Sequence, residues 1–548
     1  MKRIHFYVHS THCKVNNDPT RNAVVVKEKI KEIDKNGIVT WKDNLNIIEN
    51  PIRPFYITAR QFRDHQYKKE FEDISKLEMF RCRDQDLPDR IALALNEGRW
   101  TPKRFINLRQ LCDSPYTYGC DIESEVLIKQ NYMDNTPVGE MAKFTCGCLD
   151  IENEVRGDGK INVLTYIHEN KIYTCALEQY CRIYHKEDDS FTQASKEDCL
   201  EAINKLIGEE IKKHGFELHF EIKDNELSMI YWIFERIHEN KTDFIGIWNM
   251  NHDIPKIMER IVRCGGDPAQ VMCHPDVPDR FKYCRYYTDN SNVQHFTDKW
   301  HWMNLTGHSQ FIDSMCLYAR LRKVSGRDSS YSLDAISTKE LGQGKLHFGE
   351  ITNHWYSQNY DFLNYIAYNI NDVLIMQLME WKNHDMSALN GLCGMSLPSQ
   401  FNRQTIMVRN DEYHYGLLHG RLPASSGTDM FTSYDKIMPK AGGTVLPPNK
   451  AAGVGINALE GIDKTTQVSI MTNDLDVSSM YPSILSAFNI SKETQLSSLL
   501  GINGFDNKYI ELLCSGLNKP EVFGIQLAST FYGYPDFNDM LEMFDHRQ

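Results

Sequence analysis

No stretch of about 18 consecutive apolar residues occurs anywhere in the 548-residue chain, which argues against a membrane-spanning helix. The first residues, Met1-Lys-Arg-Ile-His-Phe-Tyr-Val8, alternate like a strand and lack the apolar core and cleavage site of a signal peptide. The fifteen cysteines have no framework spacing. Cys146-Gly-Cys148 stands alone, and Cys264, Cys273, His274 and Cys284 are spaced too irregularly for a usual zinc site. Reduced, partly buried thiols are expected instead, and with them a cytoplasmic protein. Without secretion, the sequon Asn304-Leu-Thr306 carries no weight. Internal repeats and low-complexity tracts are lacking too. So is an excess of basic charge: 61 Lys and Arg face 74 Asp and Glu, a net charge of −13. That excludes a surface coated in phosphate contacts. It does not exclude a nuclease, whose centre concentrates carboxylates and whose basic groove can be local.

What is present is ordinary globular composition, with 41% hydrophobic and 25% charged residues, in a chain long enough for roughly three to four domains. Residues 1–110 mix short strands and charged helices without an evident chemical constellation. From Tyr116 the pattern becomes α/β. A strand-like run carries Asp121, and Ile161–Ile167 with Lys171–Leu177 reads as a hairpin. Glu226–Asn240 is an amphipathic helix with Leu227, Ile230, Phe234 and Ile237 on one face. A strand at Phe244–Trp248 precedes a helix from about Ile254 to Gly265-Gly266. Tyr360–Trp381 is a long helix, 382–435 is less regular, and 441–463 is rich in Gly, Pro and Asn, as a linker would be.

Three segments carry carboxylates. Asp121-Ile-Glu123, read as part of a strand, would turn both acids to one face. In Asn249-Met-Asn-His-Asp253, the acid stands at a strand-to-helix junction. In Tyr368-Asn-Ile-Asn-Asp372, i to i+4 spacing puts phenol and carboxylate on one helix face. Each has a plain structural reading alone: a solvated strand face, a helix cap and a routine helix pair. A fourth segment, Asp476-Val-Ser-Ser-Met-Tyr-Pro-Ser483, reads as a strand end, a tight turn and a helix opening at Pro482. That layout sets a carboxylate beside backbone N–H groups able to bind phosphate.

In this order, D-x-E, N-x-x-x-D, Y-x-x-x-D and D-x-x-S-M-Y-P-S resemble the three exonuclease motifs and the first polymerase motif of family B DNA polymerases. The resemblance runs from about residue 100 onward and is closest to the large tailed-phage branch. Phe311-Ile-Asp313-Ser-Met-Cys-Leu-Tyr318, Ser330-Tyr-Ser-Leu-Asp334 through Gly344-Lys345, and Asn489-Ile-Ser-Lys-Glu-Thr494 look like segments of those enzymes. Two departures stand out. His252 occupies a position usually held by Phe or Tyr, and Lys440 replaces the Tyr of the Y-x-G-G segment now read at Lys440–Gly443.

The resemblance implies an α/β and α+β multidomain protein: an N-terminal domain (1–110), an RNase H-like 3′→5′ exonuclease domain (111–381), a return segment or linker (382–435) and a partial palm (436–548). It implies a two-metal exonuclease site using Mg²⁺ or Mn²⁺, with Asp121, Glu123, Asp253 and Asp372 as ligands. Tyr368 would orient the attacking water or scissile phosphate, and Asn249 would position the terminal nucleotide or a neighbouring ligand. Asp476 would bind the metal of the incoming triphosphate. Ser479, Met480 and Tyr481 would contact that nucleotide, with Asn489 beyond them. Nothing after Ser483 resembles K-x-x-x-N-S-x-Y-G or D-T-D, so polymerisation is expected only with a second chain supplying fingers, D-T-D and thumb. The expected partners are primer-template DNA, a single-stranded 3′ end, dNTP in the completed enzyme and that second chain, in the host cytoplasm if the gene is phage-encoded. A stand-alone exonuclease with a remnant palm and a non-catalytic DNA-binding replisome module are the alternatives.

Overall fold

The computed structural model describes residues 2–427, apart from 16–17, 19, 64, 66–67, 70, 97–106, 294 and 347–352. The described chain is a mixed α/β protein with several sheets and 13 α-helices, divided into two compact units. No described helix is long and apolar enough to cross a membrane.

The first unit comprises Met1–Pro54, Arg81–Leu87 and Ile122–Leu418. It opens with an antiparallel meander of β1 (Lys2–Lys14), β2 (Asn22–Ile33) and β3 (Val39–Glu49). The β2–β3 turn has a local cause. Asp34 Oδ1 accepts from the N–H groups of Asn36 (2.7 Å) and Ile38 (2.8 Å), and Gly37 takes φ +81°.

The larger sheet has six strands: β4 (Cys146–Asn153), β5 (Ile161–His168), β6 (Lys171–Leu177), β7 (Glu217–Lys223), β8 (Phe244–Ile247) and β9 (Gln310–Asp313). Their spatial order is β7-β6-β5-β4-β8-β9. β5 runs antiparallel to both β4 and β6, whereas β6/β7, β4/β8 and β8/β9 are parallel pairs. Nearly every residue of β5 is buried, so both faces are covered.

Helices α1 (Ser124–Asn135), α2 (Lys196–Lys213), α3 (Glu226–Asn240), α4 (Met250–Arg263), α5 (Leu333–Leu341), α6 (His354–Tyr360) and α7 (Phe362–Asn383) follow in chain order. Those against β5 are α3 and α7. α3 starts where the Asn225 side chain accepts from Ser228 N–H, and ends at Lys241 in the left-handed region. Its buried stripe of Met229, Ile230, Ile233, Phe234 and Ile237 is the face its periodicity predicts.

Residues 1–54, read from sequence within a separate N-terminal domain, share a unit with the six-stranded sheet. A buried polar network joins them. Lys27, with no exposed surface, places Nζ 2.7 Å from Asp43 and 3.5 Å from Asp243, and donates to the Lys241 carbonyl. Lys29 pairs with Asp243 at 2.9 Å. Asp243, immediately before β8, also accepts from Thr145 N–H. Burying a carboxylate is costly without such partners.

The second unit takes in Phe55–Phe80, Pro88–Asp121 and the described residues from His419. Strands Leu77–Arg83, Ile52–Thr58 and Thr117–Tyr118 form a small sheet in that order, and Arg421–Pro423 pairs with Phe71–Asp73. The described cysteines are all free thiols.

Candidate metal centre

β4 is an eight-residue strand, so Asp150 and Glu152 project from one face while Ile151 is buried on the other. On α7, Tyr365, Tyr368, Asn369 and Asp372 recur at helical spacing. Asp150, Glu152 and Asp372 bring carboxylate oxygens within 4.8 Å of one another. Asp253, 4% exposed on α4, lies close enough for its charge to act on both Asp150 and Glu152.

Each carboxylate has one oxygen held by a neighbour. Asn369 Nδ2 donates to Asp150 Oδ2 at 2.7 Å, and Tyr365 OH donates to Glu152 Oε2. Lys345 Nζ reaches Asp372 Oδ2 at 2.5 Å and Tyr368 OH at 2.8 Å. His252 Nδ1 lies 3.0 Å from Asp253 Oδ1. Asp372 Oδ1 is buried without a hydrogen-bond partner among the described residues. Donors fixed on one oxygen orient the other, as outer-shell groups do around a bound cation.

The electrostatics are those of crowded, buried acids. Burial and then the charges of Asp253, Asp372 and Glu152 push Asp150 well above the usual carboxylate range. Burial lifts Glu152 to about 7 against the opposing hydrogen bond from Tyr365. It lifts Asp372 to about 6, with Lys345 opposing. Burial also raises Asp253, and His252 opposes it. Hydrogen bonding to Asp253 in turn raises His252. Burial works against the Lys345 ammonium, but Asp372, Tyr368 and Asp150 outweigh it and its pKa rises. One lysine and one half-exposed histidine do not neutralise four acids. Hard divalent cations would, and every donor in the cluster is an oxygen.

No model of a known protein family matches the chain, and no curated protein matches it.

The structure brings together Asp253, Tyr368 and Asp372, but not Asp121 and Glu123. These two are corrected as members of the cluster, and Asp150 and Glu152 take their place. Both pairs belong to the tripeptide Asp-Ile-Glu, and only the second lies in a strand. The strand at Thr117–Tyr118 breaks at Gly119, with φ +65°, leaving Asp121 in a turn of the second unit. There its Oδ2 accepts from Ser426 N–H at 2.9 Å. Glu123 is the exposed residue before α1 and accepts from Gln400 Nε2 at 2.8 Å.

Asn249 is the exposed N-cap residue of α4, without a side-chain cap bond. Asp253 sits inside that helix, not at its cap, because the helix begins at Met250. Asp476, Ser479, Met480, Tyr481 and Asn489 lie outside the described residues, as do the expected linker and palm.

Sequence reasoning gave no role to Asn369, Tyr365 or Lys345. A signal for Lys345 was the preceding glycine. A Cβ on Gly344 would collide with Asp334 Oδ1, which accepts from Lys345 N–H at 2.8 Å. Asp334 and a glycine thus fix the backbone that aims the lysine.

His274, Asp276 and His308 also come within ligand distance of one another. They fit a cation poorly. The Lys27 ammonium lies 3.0 Å from His308 Nδ1, a positive charge where a metal would add another. Cys264, Cys273, His274 and Cys284 do not gather into a metal-ligand group among the described residues.

Proposed function

We propose that the first unit is a metal-dependent 3′→5′ exodeoxyribonuclease of the RNase H-like type, the proofreading part of a family B DNA polymerase. The observation that carries this reading is the convergence of Asp150, Glu152 and Asp372, with Asp253 electrostatically joined to them. They come from an early strand, the first turn of the helix that follows β8 and a late helix, in the order of the motifs. The sheet supports the fold assignment. A leading antiparallel β4-β5-β6 meander, extended from β4 by parallel strands β8 and β9, is the arrangement expected of RNase H-like nucleases. The motif around Asp476 is what ties the nuclease to a polymerase.

Asp150, Glu152, Asp253 and Asp372 would hold two divalent cations. Such ions, when bound, lower the pKa of water and stabilise charge on a phosphate under attack. The chain's own residues do the rest. Asn369, Tyr365 and Lys345 hold the acids in position. Burial and the Asp372 charge raise the Tyr368 phenol, against Lys345, so it stays protonated and can donate to the attacking water or the scissile phosphate. Lys345 keeps Asp372 ionised and, 4.8 Å from the Tyr368 ring centroid, fixes that ring.

The test is incubation of the chain with a 5′-labelled single-stranded DNA. Stepwise shortening from the 3′ end with Mg²⁺ or Mn²⁺, stopped by EDTA, is expected. An intact oligonucleotide with either ion would contradict the proposal.

A further inference from the structure

We propose that a surface platform of aromatic rings and two arginines beside the carboxylate cluster binds the unpaired strand of single-stranded DNA leading to its 3′ end. This inference rests on the nuclease reading and names the subsite that would feed it. The platform is built from the hairpin Arg182–His185/Ser190–Gln193 and from α6. Tyr360 is its hub, with ring centroids 4.8 Å from Tyr184, 5.0 Å from Tyr356, and 5.9 Å from both Phe191 and Trp355. The Arg182 guanidinium lies 4.8 Å from the Phe191 ring centroid and Arg156 5.1 Å from that of Trp355.

Three features set this cluster apart from a fragment of core. Its rings are only partly covered, and Phe191 is 39% exposed. Neither guanidinium forms an ion pair among the described residues, and Arg182 Nε is buried without a hydrogen-bond partner. Finally, α6 carries the platform to the site. Its first residue, His354, places Nδ1 2.9 Å from Tyr365 OH and its ring 5.9 Å from the Tyr368 ring. Tyr365 in turn holds Glu152. At 1.5 Å rise per residue, His354 and Tyr360 are about 9 Å apart along the helix. The platform would therefore meet a strand within a few nucleotides of its cleaved end.

The chemistry selects the ligand. Every base offers a π-face, so stacking on aromatic rings is tolerant of sequence, and guanidinium groups beside the rings suit the phosphates. Stacking needs unpaired bases, so a duplex is a poor ligand. Carboxylates border the platform: Asp189 accepts from Tyr184 OH at 3.0 Å, and Asp361 faces Lys186. Phe191 and Arg156 are the exposed members of the platform left for the strand.

The experiment measures binding of a 5′-fluorescein oligothymidylate to the full chain in EDTA by anisotropy. Phe191→Ala is expected to weaken the dissociation constant about tenfold, about 1.4 kcal/mol. Arg156→Glu, at an exposed position, is expected to weaken it and reduce its dependence on salt. Affinities within twofold of the parent for both variants, or equal parent affinity for a blunt duplex, would overturn the platform. Parent protein that hydrolyses the oligonucleotide while both variants bind it normally overturns the platform and leaves the nuclease standing. Parent protein that binds through these residues yet hydrolyses nothing with Mg²⁺ or Mn²⁺ overturns the nuclease reading instead.

Discussion

Lys345 governs the charge of Asp372. An ammonium 2.5 Å from a buried carboxylate favours ionisation, and its removal lets burial and the neighbouring acids act unopposed. Lys345→Met is expected to move the acid limb of the pH–rate profile upward by about one to three units, measured as kcat/KM on single-stranded DNA. An unmoved limb would dissociate Lys345 from the site. Glu152 makes a second prediction, in stability. Its pKa in the folded chain is about 7, above the ordinary 4.5. Between these values the metal-free folded state holds a proton that the unfolded chain releases, so its contribution to stability is present at low pH and lost as pH rises through about 7. In EDTA, Glu152→Gln should match the parent Tm near pH 5 and exceed it near pH 8. Mg²⁺ at pH 8 should raise the parent and narrow the difference, read by thermal melting.

At the scale of elements, α4 must be held so that Asp253 meets the strand acids. Arg260, on the same helix, does this through Glu226 at the start of α3. The pair is almost fully buried, with Nη2 2.7 Å from Oε2, and Arg260 also donates to Asp158 in the β4–β5 connection. Arg260→Met leaves Glu226 buried beside only the Ile161 N–H and the weakly donating Cys264 thiol, and should cost about 3–5 kcal/mol in urea unfolding. Replacing Glu226 by Met as well should recover most of that loss, because no buried charge then remains unpaired. The elements themselves were largely legible. The β5–β6 hairpin, α3 and α7 fall within a few residues of their expected ranges, because strong periodicity and clear caps announce them. The first acid pair was not. Two Asp-Ile-Glu tripeptides are identical locally, and only tertiary pairing separates them. Asp150-Ile-Glu152 lies in a strand paired on both edges, with β5 and β8, whereas Asp121-Ile-Glu123 follows a positive-φ glycine and runs into a helix. The position of Asp150-Ile-Glu152 just before a recognisable hairpin was the usable signal.

At the scale of the molecule, the β1–β3 meander is part of the unit that holds the acids, and Lys27 and Lys29 pair with Asp243 at the entry to β8. Composition could not show this. Lys27 and Lys29 of β2 flank Glu28 as in a solvated strand, and only the folded chain buries them. The acidic net charge likewise says little about a site that gathers three carboxylates, with the charge of a fourth acting on them, and sets arginines beside aromatic rings. The central claim is that catalysis resides with Asp150 and Glu152 and not with the other Asp-Ile-Glu. It is tested by the rate of 3′-end hydrolysis of single-stranded DNA in two double variants. Asp150→Ala/Glu152→Ala is predicted to lose about a thousandfold or more, as expected when ligands of a two-metal site are removed. Asp121→Ala/Glu123→Ala is predicted to stay within a few-fold of the parent. Undiminished hydrolysis in the first, or its loss in the second alone, would contradict the account.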